Sequence, residues 1–294
     1  MISKPAGATA WAIAPSITYV SAIAHVLARA WGESPLTLAQ HLQSILQGQL
    51  QGTPAEERLN PGQSVRTTCN EPVIFLASLA PHWSIQVTPP GWLMVRLHDS
   101  GLAIWLQWLA GGPWAETPER TSTGPIKPVT PEQQSVQAAA LFPVQLTHAR
   151  CCSLLRLAVR EGMLALSSSD PGLEVAMDTA DGAIASPNPL PWLQADQTLC
   201  LRHPLEQDLI AKLVAAADCL WDAAAAPTQE SLVKQAIALA SSFQSFDAGC
   251  RMFGCVRTVN LPRAQARLGL VLATRRMLHL ILGDGLGVET PTEL

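Results

Sequence analysis

Five prolines between Gly111 and Pro131 (Pro113, Pro118, Pro125, Pro128 and Pro131) cut the hydrophobic patterning of this chain in two. Each proline removes a backbone donor, and with Gly, Ser and Thr between them the stretch favours extended chain over helix or sheet. Residues 111–131 therefore read as a linker between two domains. With 294 residues, of which 48% are hydrophobic, there is enough apolar surface for a separate core on each side.

Ahead of the linker the pattern is mixed. Apolar residues recur at Ile17, Val20, Ile23, Ala24, Leu27 and Trp31 after Ser16, which predicts one helix. Ser34-Pro35 opens a second helix, along Leu38, Leu42, Ile45, Leu46 and Leu50. Short β-rich runs follow at Val73–Leu76, Ile85–Val87 and Trp92–Val95, punctuated by Pro81, Pro89-Pro90-Gly91 and Asp99-Ser100-Gly101, and these predict strands. A short helix over 102–109 ends at Gly111-Gly112-Pro113. Residues 1–110 thus form a small α+β domain.

Beyond the linker, residues 132–166, 204–226, 228–253 and 261–283 carry helical periodicity, with a Pro-, Gly- and Asp-rich loop from Ser167 to Pro191. Faces of that kind pack as an all-α bundle of four or five helices over 132–294. The fold class is accordingly α+β, a small mixed domain followed by a helical one.

Only 14% of residues are charged and the net charge is −4, which excludes a protein that coats nucleic acid by bulk attraction. Any such contact has to be local. From Ala248 to Gly283 there is no Asp or Glu, while Arg251, Arg257, Arg263, Arg267, Arg275 and Arg276 all fall there. Guanidinium groups bind phosphate oxygens through two donors and stack on unpaired bases. Arg257, Arg263, Arg275 and Arg276 are therefore candidate RNA contacts, as are Arg150, Arg156 and Arg160 on the first long helix, the last two four residues apart on one face. The alternative for any of these arginines is structural, capping or bridging helices inside the bundle.

Seven cysteines form no C-x-x-C pair, and their odd number fits a reduced, cytoplasmic chain. The apolar first thirty residues contain Pro15, Tyr19, His25 and Arg29, which suits neither a bilayer span nor a leader. No histidine has a partner at metal-ligand spacing and no lysine follows a glycine, so neither a metal nor a nucleotide cofactor is expected. Trp105 and Trp108, three apart on one helix face, are candidates to anchor a protein partner or the other domain.

Four ordered motifs in the second half resemble the helical anticodon-binding domain of arginyl-tRNA synthetases, the DALR domain. Val144, Gln145, His148, Ala149, Arg150, Cys152 and Ser153 match its opening helix, and Leu239, Ala240, Ser241, Phe243, Phe246, Cys250 and Arg251 match a later one. Ala266-Arg267-Leu268 with Leu270, and Gly287-Val288-Glu289-Thr290-Pro291, match the elements that follow. Ser34-Pro35-Leu36-Thr37-Leu38-Ala39 and Pro90-Gly91-Trp92-Leu93-Met94-Val95 are similar to elements of the synthetases' N-terminal additional domain. The resemblance implies tRNA as partner, tRNA-Arg being the family's species. It also implies structural roles for Gln145, His148, Phe243, Phe246, Arg251 and Arg267.

The same resemblance implies no catalytic residue in this chain. The synthetases' H-I-G-H turn needs two histidines three apart, which do not occur here, and their K-M-S-K-S loop needs paired lysines, whereas the lysines are Lys4, Lys127, Lys212 and Lys234. Leu146 replaces the family's Tyr and Asp247 replaces a second Tyr, the latter adding negative charge. The expected function is tRNA binding without aminoacylation by this chain alone, holding or delivering tRNA for another enzyme. The alternative is an interaction or assembly factor that reuses the bundle without RNA.

Overall fold

The computed structural model describes residues 17–51, 79–111, 131–166, 184–221 and 227–293. The predicted strand at Val73–Leu76 and nearly all of the predicted linker lie outside these residues. The chain divides into two compact units, Met1–Trp105 and Leu106–Leu294, with the division inside a helix.

Among the described residues the first unit is a three-stranded antiparallel sheet packed on two helices. Its order is β1(Thr18–Ser21), β3(Trp92–Leu97), β2(Trp83–Thr88), with Tyr19 opposite Val95 and Ile85 opposite Val95 from the other side. Helices α1(Ile23–Trp31) and α2(Pro35–Gln51) bury Ala24, Ala28, Leu38 and Ala39 against Ile85 and Leu93, and Gln43 donates to the Ile85 carbonyl at 2.8 Å. The helix expected from Ser16 begins instead at Ile23. Thr18-Tyr19-Val20-Ser21, aromatic and β-branched at its centre, gains a ladder along β3 that outweighs helical periodicity. Ser34 caps α2, its hydroxyl accepting from Thr37 N at 3.1 Å. The β2–β3 turn closes on Gly91, whose φ of +138° and contact with the Pro35 backbone leave no room for a side chain.

Helix α3(Asp99–Gly111) holds the division between units. Its last turn belongs to the helical unit, where Gln107 Oε1 accepts from both Leu190 N and Trp192 Nε1 at 2.9 Å. The unit continues with α4(Pro131–Arg160), a short β4(Ala165–Leu166)/β5(Ile184–Ser186) pair, α5(Pro204–Trp221), α6(Gln229–Gly249), α7(Cys255–Val259) and α8(Leu261–His279), which passes into a π-helical turn, Leu280–Gly285.

Helix α8 is the centre of the bundle. Every residue from Ala266 to Leu278 is buried, the signature of a helix enclosed on all sides. It starts at Asn260, whose side chain accepts from Arg263 N at 3.1 Å, with Pro262 in the first turn. Around it lie α4, α5 and α6, contributing Leu141, Val144, Leu209, Ile210, Leu213, Phe243 and Phe246 to the core. Gly269 is the point of closest approach: a Cβ there would run into the Trp192 ring and Leu190. Among the described residues no helix is long and apolar enough to cross a membrane, and no three His, Cys, Asp or Glu gather as a metal site.

Candidate nucleic-acid interface

The C-terminal segment lies along α4, and the opening-helix motif is what holds it. Gln145 Nε2 donates to the Glu289 carbonyl at 3.0 Å, and His148 Nδ1 meets the Pro291 carbonyl at 2.9 Å. Arg156 donates to the Thr292 carbonyl at 3.3 Å and to Glu293 at 3.0 Å, and His279 on α8 pairs with Thr290 at 3.0 Å. His148 is only 1% exposed, and burial is the main reason its pKa falls to about 4, helped by Arg275 and His279. The ring is therefore neutral at pH 7, with the proton on the nitrogen that faces the carbonyl. It is a packing histidine.

A second buried node ties α5 to α8. Glu206 is fully buried, and its Oε2 accepts from His203 N at 2.8 Å, a capping interaction at the start of α5. Its Oε1 accepts from Arg267 Nε at 2.6 Å, and Arg267 Nη1 donates to the Arg251 carbonyl. Phe243 and Phe246 pack together in the core with ring centroids 6.0 Å apart.

The seven candidate arginines separate into groups. Arg275 and Arg276, expected on an RNA-facing surface, are buried at 4% and 8% exposure, because the helix that carries them has no solvent side. Arg150 is exposed but bound to Asp247 at 2.9 Å, so the acidic residue that departs from the family pattern neutralises a neighbour on α4. Arg156 is engaged by the C-terminal segment. Arg160, Arg257 and Arg263 gather at one end of the bundle, where α4 and α6 finish and α5, α7 and α8 begin. There Arg257 bridges to Glu161, Arg263 donates to the Cys200 carbonyl at 3.2 Å, and Arg160 stands exposed.

Two more exposed arginines share this end, and sequence reading did not place them there. Arg202 donates from Nε to the Leu199 carbonyl at 3.1 Å, and Arg251 projects from the turn after α6. Against them stand the exposed carboxylates Glu161 and Asp196. Between α4 and α7 lies an open depression lined by Leu157, Glu161, Phe253, Gly254, Cys255 and Arg257. Val259, next in sequence to Thr258 of its lining, is 85% exposed. Trp105 and Trp108 are half-buried, and Trp108 lies against Trp221 with ring centroids 5.9 Å apart.

Residues 186–294 match the family described as DALR anticodon binding domain. The helical unit carries a DALR domain. Arginine–tRNA ligases are the curated relatives: that of Synechococcus sp. (strain JA-3-3Ab) is 30% identical over 151 residues, 51% of this chain and 22% of the relative. That of Gloeobacter violaceus is 34% identical over 150 residues, 51% of this chain and 21% of the relative. That of Moorella thermoacetica is 34% identical over 154 residues, 52% and 22% respectively. The chain spans about a fifth of the length of these relatives. No solved structure matches it. The DALR match begins after α4, so the C-terminal segment that α4 grips lies within it and the gripping residues lie before it.

Proposed function

We propose that this protein binds tRNA, tRNA-Arg being the species its relatives' name suggests, through a group of arginines, four exposed and one half-buried, at one end of its helical bundle. It holds or delivers that tRNA for another enzyme in the cytoplasm and does not charge it. The observation that carries the reading is the grouping of Arg160, Arg202, Arg251, Arg257 and Arg263 at one bundle end, inside a chain whose net charge is −4. Phosphate attraction is then local, as a weakly charged protein requires. Phe253, which lines the depression with Arg257, and the exposed Val259 offer apolar surface to unpaired bases. The missing histidine pair and paired lysines support a non-catalytic role.

Electrophoretic mobility shift with purified tRNA at near-physiological salt tests it. The wild-type protein retards tRNA at micromolar concentration, and Arg160→Glu with Arg257→Glu weakens that by about tenfold or more. No retardation by the wild type, or charging of tRNA by the isolated chain, removes the reading. A second reading, a protein-interaction factor, draws on Phe142 and Leu146, four residues apart on α4 and 55% and 46% exposed. It requires a stoichiometric protein partner that survives nuclease treatment.

A further inference from the structure

We infer that Arg267, anchored by Glu206, is a positioning residue for the turn between α6 and α7, and that it acts on the bound tRNA through Arg251. This rests on the tRNA-binding reading above. Arg267 and Glu206 are both buried, at 8% and 0% exposure. Placing such a pair in a core gains little over well-packed apolar side chains, since desolvation offsets the attraction. Stability alone is thus a poor account of it, and its geometry supplies a better one.

The carboxylate of Glu206 is used twice, Oε2 by His203 N at 2.8 Å and Oε1 by Arg267 Nε at 2.6 Å. That fixes the guanidinium plane and aims a second arm, Nη1, at the carbonyl of Arg251. On either side of Arg251 the chain is pinned by Cys250 and Met252, 1% and 3% exposed, and Gly254 at φ +74° then turns it into α7. With both neighbours inward and its carbonyl held from below, Arg251 projects its side chain to solvent at the bundle end. The planar fork reaches two diverging acceptors at once; a lysine ammonium, a single point of charge, satisfies Glu206 and leaves the Arg251 carbonyl without its donor.

The test uses the full chain with Arg267→Lys, Arg251→Ala and the double variant, read by hydrogen–deuterium exchange and by tRNA mobility shift. In Arg267→Lys the amides of Met252–Thr258 exchange about tenfold faster while those of Ala149–Leu155 keep the wild-type rate. Arg267→Lys also weakens tRNA binding, Arg251→Ala lowers the salt slope by about one, and the double variant binds no more weakly than Arg251→Ala. Should Arg267→Lys fail to fold, Glu206→Gln with Arg267→Met removes the charge and the carbonyl donor together and carries the same readouts. Exchange that rises equally through α5, α6 and α8, or an Arg267→Lys penalty undiminished in the Arg251→Ala background, overturns the inference. If wild-type protein does not retard tRNA, the binding reading fails by itself, and the exchange pattern alone decides the positioning.

Discussion

Arg267, Arg275 and Arg276 lie on α8 with no more than 8% of their surface exposed, whereas Arg160, Arg251 and Arg257 stand in solvent at the end of the same bundle. In the basic run from Arg251 to Arg276 the two sets follow directly on one another, and nothing in their residue type separates them. What separates them is whether the helix has an outer side. From Ala266 to Leu278 the α8 helix is enclosed by α4, α5 and α6, so the arginines of that stretch become internal, while Arg263 in its first turn is only half-buried. The turn residues and helix ends escape enclosure, and charge there remains available to a ligand. A basic run in sequence therefore measures surface charge only after enclosure is known.

The sharpest way to break this contrast is to remove a counter-charge from the enclosed set. In Glu206→Gln the Arg267 guanidinium keeps its burial and loses its carboxylate, which costs about 3–5 kcal/mol. Urea denaturation followed by circular dichroism measures it, and a loss below about 1 kcal/mol shows the node to be solvated after all.

Next in size is the histidine under the C-terminal segment. Burial holds the His148 pKa at about 4 in the folded protein, below its ordinary 6.5. The folded state thus binds the proton less readily than the unfolded chain. The stability linked to this group is complete above pH 6.5 and is lost as pH falls through 6.5 toward about 4, amounting to roughly 3 kcal/mol. Denaturation midpoints at pH 7 and pH 4.5 read the loss, and His148→Gln, which cannot titrate, should flatten that part of the profile. Gly269→Ala comes third. Its methyl group meets the Trp192 ring, and overpacking of that kind costs about 1–3 kcal/mol, visible as a lowered Tm.

Much of this was legible from sequence. The four long helices of the second half, α2 with its Ser34 cap, and the two strands at Ile85 and Trp92 fall where periodicity and turn residues put them. The α+β class and the resemblance to the DALR domain hold as well. The strand at Thr18–Ser21 was hidden, since its residues also satisfy a helical pattern and only pairing with β3 selects the extended form. At the candidate site, clustering of arginine was legible but orientation was not. Leu268, Leu270, Val271 and Ala273 put apolar side chains on every face of α8, a pattern that foretells an enclosed helix, whereas the charge run points outward. Arg202 was not singled out, and Arg251 was assigned a structural role by the resemblance; each lies beside a buried neighbour, Leu201 and Met252, and only the turn geometry separates inward from outward.

The smallest effect on stability is the one that sharpens the contrast most. Arg160 is exposed, and Arg257 forms its bridge to Glu161 with both side chains more than two-fifths exposed. Solvent-facing pairs of this kind contribute about 0–1 kcal/mol, because water and salt screen the attraction and two long side chains must be ordered to make it. Arg160→Ala and Arg257→Ala should therefore leave the urea midpoint nearly where it was, within about 0.5 kcal/mol, while lowering the salt dependence of tRNA retention by about one counterion each. Silence in denaturation together with a changed salt slope marks residues kept for a ligand. Destabilisation above about 1.5 kcal/mol would place them with Arg267 as struts, and the distinction between the enclosed arginines and those at the bundle end would dissolve.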